Sequence, residues 1–157
     1  MTYVTRLVQY IHAPRAEVYR ALVDPEAIAA WRVPDGMTSV VHTFDPREGG
    51  SFRISLTYDS PDNTGKTTAS TDTYQGHFVR LRSDEQVVEV MEFESPDPSL
   101  RGEMTLSITL TPKGEGTEVL AVHSGVPDAI QPELNELGWK ISLGKLARLV
   151  EEGVEGG

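Results

Sequence analysis

The sequence predicts an α+β domain: a first strand, two short helices, an antiparallel meander of about six strands, and one long C-terminal helix. Three observations predict it. Residues 2–11 are dense in Tyr, Val, Leu and Ile and are followed at once by two helix-start signals. The middle of the chain alternates apolar and polar residues with a period of two. The last segment instead repeats apolar residues at helical spacing.

Taken in order, the strand at Thr2–Ile11 gives way to Pro14, which suits the first position of a short helix because its missing N–H would be unpaired there. Val18 and Leu22 then share one helical face. Asp24-Pro25-Glu26 repeats the signal, with Asp24 as cap, and a second helix carries Ile28 and Trp31 until Pro34-Asp35-Gly36 breaks it. A strand over residues 38–45 and the turn at Gly49-Gly50 lead to Phe52, Ile54, Leu56 and Tyr58, which alternate with Arg53, Ser55 and Thr57. Residues 74–81 and 86–93 pair across Ser83-Asp84-Glu85, and residues 104–110 pair with 117–123 across Lys113-Gly114-Glu115-Gly116. Residues 59–72 and 95–102 are polar or proline-bearing loops, not linkers, because the strand pattern resumes after each.

In the final helix, Trp139, Leu143, Leu146 and Val150 form one stripe. Leu134, Leu137 and Ile141 form a second on nearly the opposite side. One stripe covers the sheet. The other needs its own partner: the short helices, a loop, a second copy of the chain or a bound apolar ligand. Gly138 and Gly144 lower helix propensity and imply close backbone approach or a bend.

The 157 residues fit one domain, and 14 basic against 24 acidic side chains leave a net charge of −10. That balance argues against nucleic acid as a partner. With no cysteine, disulfide scaffolds, thiolate metal sites and thiol catalysis are excluded. No basic and apolar leader and no long apolar span can be read, so a cytoplasmic protein without stable membrane insertion is expected.

Candidate chemistry is sparse. His12, His42, His77 and His123 show no close ligand spacing, so neither a metal nor a cofactor is expected. His123 lies on the Val119–Ala121 face of its strand, where an imidazole needs a partner for each nitrogen; structural hydrogen bonding is the default, with ligand contact or acid–base work as the alternative. Asn63-Thr64-Gly65-Lys66-Thr67-Thr68 ends like a phosphate loop, but Ser60 stands where the leading glycine is required. Glu89, Glu92 and Glu94 read as a solvated edge, although one buried carboxylate among them would be a plausible acid or anchor. Trp139 reads as core, and Trp31 as core or the rim of a cavity.

The element order now joins five local patterns. These are Pro14-Arg15-Ala16-Glu17-Val18-Tyr19-Arg20-Ala21-Leu22, Asp24-Pro25-Glu26 with Trp31, Asp45-Pro46-Arg47-Glu48-Gly49-Gly50-Ser51-Phe52, His123-Ser124-Gly125-Val126-Pro127, and Gly138-Trp139 with Leu143 and Leu146. Over residues 3–151 the chain resembles the START-like (SRPBCC) superfamily, and within it the family similar to the C-terminal domain of the activator of the heat-shock-protein-90 ATPase. The resemblance implies a helix-grip fold, in which a curved sheet of six to seven antiparallel strands wraps the long helix around a cavity. It also implies binding of a small apolar or amphipathic molecule, since superfamily members bind lipids, hormones or polyketides. On this reading Trp31, Arg53, Tyr74, His123, Leu137 and Ile141 are the candidate cavity or rim residues, with Arg53, Tyr74 or His123 orienting a polar end. Trp139, Leu143, Leu146 and Val150 would fix the helix to the sheet. The alternatives are a cyclase or dehydratase using acid–base groups in the cavity, and a protein-interaction or chaperone-assisting module, homodimer included, built on an exposed second stripe.

Overall fold

A computed structural model describes residues 1–59 and 71–156, with side chains through Gly153. The elements run β1 (Thr2–Ile11), α1 (Arg15–Leu22), α2 (Pro25–Trp31), β2 (Met37–Phe44), β3 (Ser51–Tyr58), β4 (Thr71–Arg82), β5 (Gln86–Phe93), β6 (Met104–Lys113), β7 (Gly116–Pro127) and α3 (Pro132–Gly156). All seven strands join one antiparallel sheet in the order β1-β7-β6-β5-β4-β3-β2. Neighbours in sequence pair throughout β2–β7, and only β1 is brought from the far end of the chain to close on β7.

The sheet is bent as well as twisted. The register slips between Tyr3 and Thr5 in β1, between Val41 and Thr43 in β2, and between Phe78 and Arg80 in β4. Each irregularity increases local twist and bends its strand. In β4, Gly76 has no space for a side chain: a Cβ there would overlap the Val90 carbonyl oxygen of β5. At the β6–β7 hairpin, Gly114 takes a φ of +60°, which a two-residue turn between right-twisted strands requires.

The inward face is one apolar cluster. Phe52, Ile54, Phe78, Met104, Leu106, Ile108 and Val119 from the sheet meet Val18, Leu22, Ile28 and Trp31 from the short helices and Leu143, Leu146 and Val150 from α3. Pro14 caps α1 with extended backbone instead of opening it, and the first helical residue is Arg15. Asp24 behaves as expected: its carboxylate accepts from the Glu26 N–H at 3.1 Å, with Pro25 first in α2.

Four polar contacts tie α3 and the turn before it to the rest of the fold. Lys145 Nζ donates to the Val33 carbonyl at 2.7 Å and pairs with Asp35 at 3.2 Å. Glu151 accepts from the His12 N–H at 2.8 Å. Ahead of the helix, the Tyr3 hydroxyl donates to the Ile130 carbonyl at 2.6 Å. The result is the helix-grip arrangement, a curved antiparallel sheet holding a long helix with two short helices after the first strand. β7 runs four residues beyond the expected 117–123, because Tyr3 and Thr2 keep pairing with Val126 and Pro127.

Neither Gly138 nor Gly144 of α3 is there for a close approach. A Cβ on Gly144 would meet nothing within 4 Å, and one on Gly138 would make ordinary contact with Pro34 at 3.9 Å.

Candidate functional site

Between the N-terminal half of α3 and the inward face of β3–β7 lies a cavity of about 620 Å³. The two stripes of α3 therefore divide less by face than by position along the helix. Leu134, Leu137 and Ile141 line the cavity as the second stripe predicts, but Trp139, expected with the stripe that fixes the helix, lines it too. Leu143, Leu146 and Val150 are buried in the core. Across the cavity, the sheet contributes Leu56, Tyr74, Met91, Phe93, Met104 and His123. Leu134 and Leu137 are 61% and 52% exposed, so the entrance between α3 and the sheet is apolar.

The deep end is polar and contains a residue missed in the sequence. Arg32, the residue after α2, lines the cavity and is only 6% exposed. Its Nη2 pairs with Glu89 Oε1 of β5 at 2.6 Å and contacts Met91 Sδ at 3.6 Å. The guanidinium carbon lies 5.2 Å from the Tyr74 ring centre, 5.4 Å from that of Trp139 and 6.0 Å from that of Phe52, so three aromatic rings surround the cation. Burial is the largest single influence on Arg32 and opposes its charge, but Glu89 and Tyr74 together outweigh it and raise the pKa above the usual arginine value. Burial also pushes the Tyr74 phenol up to about 12, against the opposing effect of Arg32, so the hydroxyl is neutral.

Glu89 thus departs from the solvated edge expected of it: it is 3% exposed and shares an inward face with Val87 and Met91. The run Val87-Val88-Glu89-Val90-Met91 is apolar on both faces of the strand, which hid the direction in which Glu89 points. Arg32 sits in the apolar stretch Ile28–Val33, and an arginine there is the one available signal. Its partner is in β5, brought near only by the folded sheet.

His123 is the hub of a second polar group. Trp139 Nε1 donates to His123 Nδ1 at 3.1 Å, with the rings 5.6 Å apart and nearly perpendicular. Asn135 Nδ2 lies 3.2 Å from the same nitrogen and also donates to Thr5 Oγ1 at 2.9 Å. An indole N–H can only donate, so Nδ1 is an acceptor and the neutral ring carries its proton on Nε2. That Nε2 is buried with no hydrogen-bond partner among the described residues. Burial, reinforced by the charge of Arg32, pushes the His123 pKa down to about 4.

Of the six residues proposed from sequence, Tyr74, His123, Leu137 and Ile141 come together around the cavity. Trp31 and Arg53 do not. Trp31 is fully packed in the core, its Nε1 donating to the Ala21 carbonyl at 2.9 Å and fastening α2 to α1. Arg53 alternates with the inward Phe52 and Ile54 and therefore points to the other face, where it grips Glu94 through two bonds of 2.8 and 2.9 Å. The segment Asn63-Thr64-Gly65-Lys66-Thr67-Thr68 lies outside the described residues. Among the described residues no group of three His, Asp or Glu side chains comes together as a metal site, and no helix is long and apolar enough to cross a membrane.

A curved sheet, a gripped helix and a cavity between them define a START-like (SRPBCC) protein. Within that superfamily the chain belongs to the family described as Activator of Hsp90 ATPase homolog 1-like protein, whose model matches residues 12–151. Among solved structures it is similar to protein CV1439 from Chromobacterium violaceum, at 34% identity and a TM-score of 0.84, covering 94% of this chain and 96% of that one. A protein from Arthrobacter aurescens shares the fold at 15% identity and a TM-score of 0.78, over 95% of this chain and 86% of that one. Protein MLL2253 from Mesorhizobium loti does so at 20% identity and a TM-score of 0.72, over 96% and 98%. No curated protein matches the chain significantly.

Proposed function

We propose that this protein binds a small apolar or amphipathic molecule in the cavity between its sheet and α3. The observation that carries this reading is the cavity itself: about 620 Å³, apolar at its entrance and walls, with Arg32, Tyr74 and His123 converging at its inner end. That size and that mixture suit a ligand whose burial supplies affinity while a few polar groups orient it. Leu137 and Ile141 supply apolar surface, and Tyr74 and His123 face the polar end.

The His123 geometry supports binding over acid–base cyclisation or dehydration. A general base needs a free lone pair and a pKa near the working pH. Here the lone pair on Nδ1 already receives the Trp139 N–H, and the pKa of about 4 leaves the ring neutral. The residue is arranged to donate from Nε2, not to take a proton.

Mass spectrometry of gently purified protein under native conditions should show a co-purifying small molecule. Leu137→Trp and Ile141→Trp should fold normally by circular dichroism yet lower ligand uptake roughly tenfold by filling the cavity. Unchanged uptake in both folded variants would remove these residues from the site. A ligand-free dimer would place exposed Leu134 and Leu137 in an interface between copies instead.

A further inference from the structure

Resting on that reading, we infer that the polar end of the ligand is an uncharged hydrogen-bond acceptor, such as an ester or ketone carbonyl, and not a carboxylate or phosphate. Among the described residues the inner end of the cavity holds one cation, Arg32, and that cation already has its counter-charge. Glu89 Oε1 sits 2.6 Å from Arg32 Nη2, and both side chains are almost wholly removed from water. Glu89 is not itself part of the cavity lining, so it backs Arg32 from behind. The pair contributes donors at the cavity wall but no net charge.

Among the described residues the other polar lining groups offer no positive charge either. The His123 ring is neutral, with a donor on Nε2 that has no partner among the described residues. The Tyr74 phenol is neutral. The acidic side chains in the lining, Asp72 and Asp35, cannot compensate an anion in any protonation state, and the cation beside Asp35, Lys145, is bound to that acid and to the Val33 carbonyl. A ligand carboxylate at Arg32 would therefore place a second anion on a guanidinium that Glu89 occupies, in a setting where an uncompensated buried charge is costly. A carbonyl oxygen accepts from the same donors without that cost.

The test compares two ligands of equal chain length, methyl decanoate and decanoate, at neutral pH. Binding is followed by nitrogen-15 NMR of the Trp139 indole N–H, which lies against the cavity. The ester should bind about tenfold or more tightly than the acid. In Glu89→Gln, Arg32 loses its counter-charge, and the acid should gain about tenfold while the ester changes little. Decanoate binding the unaltered protein as tightly as the ester, or more so, would overturn the inference and leave the ligand-binding reading standing. That comparison needs no variant, so a Glu89→Gln protein that failed to fold would not protect the idea. If neither compound moves the indole signal, the ligand-binding reading fails and this inference with it.

Discussion

Along α3, Leu143, Leu146 and Val150 are buried in the core, whereas Leu134 and Leu137, nearer the N-terminus, are largely exposed at a cavity entrance. The residue types are the same and the helix is continuous, so the difference lies in what the rest of the fold brings opposite each half. Leu143, Leu146 and Val150 of the C-terminal half join the apolar cluster that Val18, Leu22, Ile28 and Trp31 of the two short helices complete. The N-terminal half faces the inward side of β3–β7 across the cavity. The comparison teaches that one half of α3 holds the fold together while the other is left available for something else. The polar groups follow the same division: Asn135 and Trp139 of the open half hold His123, and Lys145 and Glu151 of the packed half hold backbone.

Stability measurements can break or sharpen this comparison. The largest effect is expected in the packed half: Leu146→Ala should cost about 3 kcal/mol in urea unfolding, from lost burial and the cavity left behind. A cost below about 1 kcal/mol would mean the two halves are not distinct in the way described. Next comes an acid sensitivity confined to the open half. His123 has a folded pKa of about 4 against an ordinary 6.5, so between those values the unfolded chain binds a proton that the folded one does not. Its contribution is complete above pH 6.5 and is lost as pH falls toward 4, by up to about 3 kcal/mol. His123→Gln should flatten that part of the stability curve; an unchanged slope would assign the acid sensitivity elsewhere.

Smaller effects probe the helix itself. Gly144→Ala adds a methyl group into open space within α3 and should stabilise the protein by about 0.5–1 kcal/mol. Loss of stability would show that Gly144 has a role its surroundings do not reveal. The smallest change is expected from Leu137→Ala, within about 0.5 kcal/mol in ligand-free protein, since the side chain is half exposed. Its effect should appear in ligand uptake instead.

Much of the architecture was legible because it is written in local patterns. The period-two runs at Phe52–Tyr58 and Met104–Leu110 and the cap at Asp24 each depend on residues a few positions apart, and the structure repeats them closely. The site was legible where a side chain's direction follows the period of its own element. Leu137 and Ile141 could be placed by helical periodicity, and His123 and Tyr74 by strand alternation. Arg53 could have been rejected on the same alternation, since it opposes Phe52 and Ile54. Trp31 could not be sorted, because its packing depends on where α1 stops.

The sequence by itself determined a cysteine-free α+β chain of net charge −10 whose last helix carries more apolar surface than one contact needs. Only the tertiary structure decided how that surface is divided, and that Arg32 and Glu89, from α2's end and from β5, meet behind the cavity. The physical reason is distance along the chain. Periodicity reports which way a side chain points within its own element, whereas the pairing of buried charges depends on how separate elements are brought together by the curvature of the sheet.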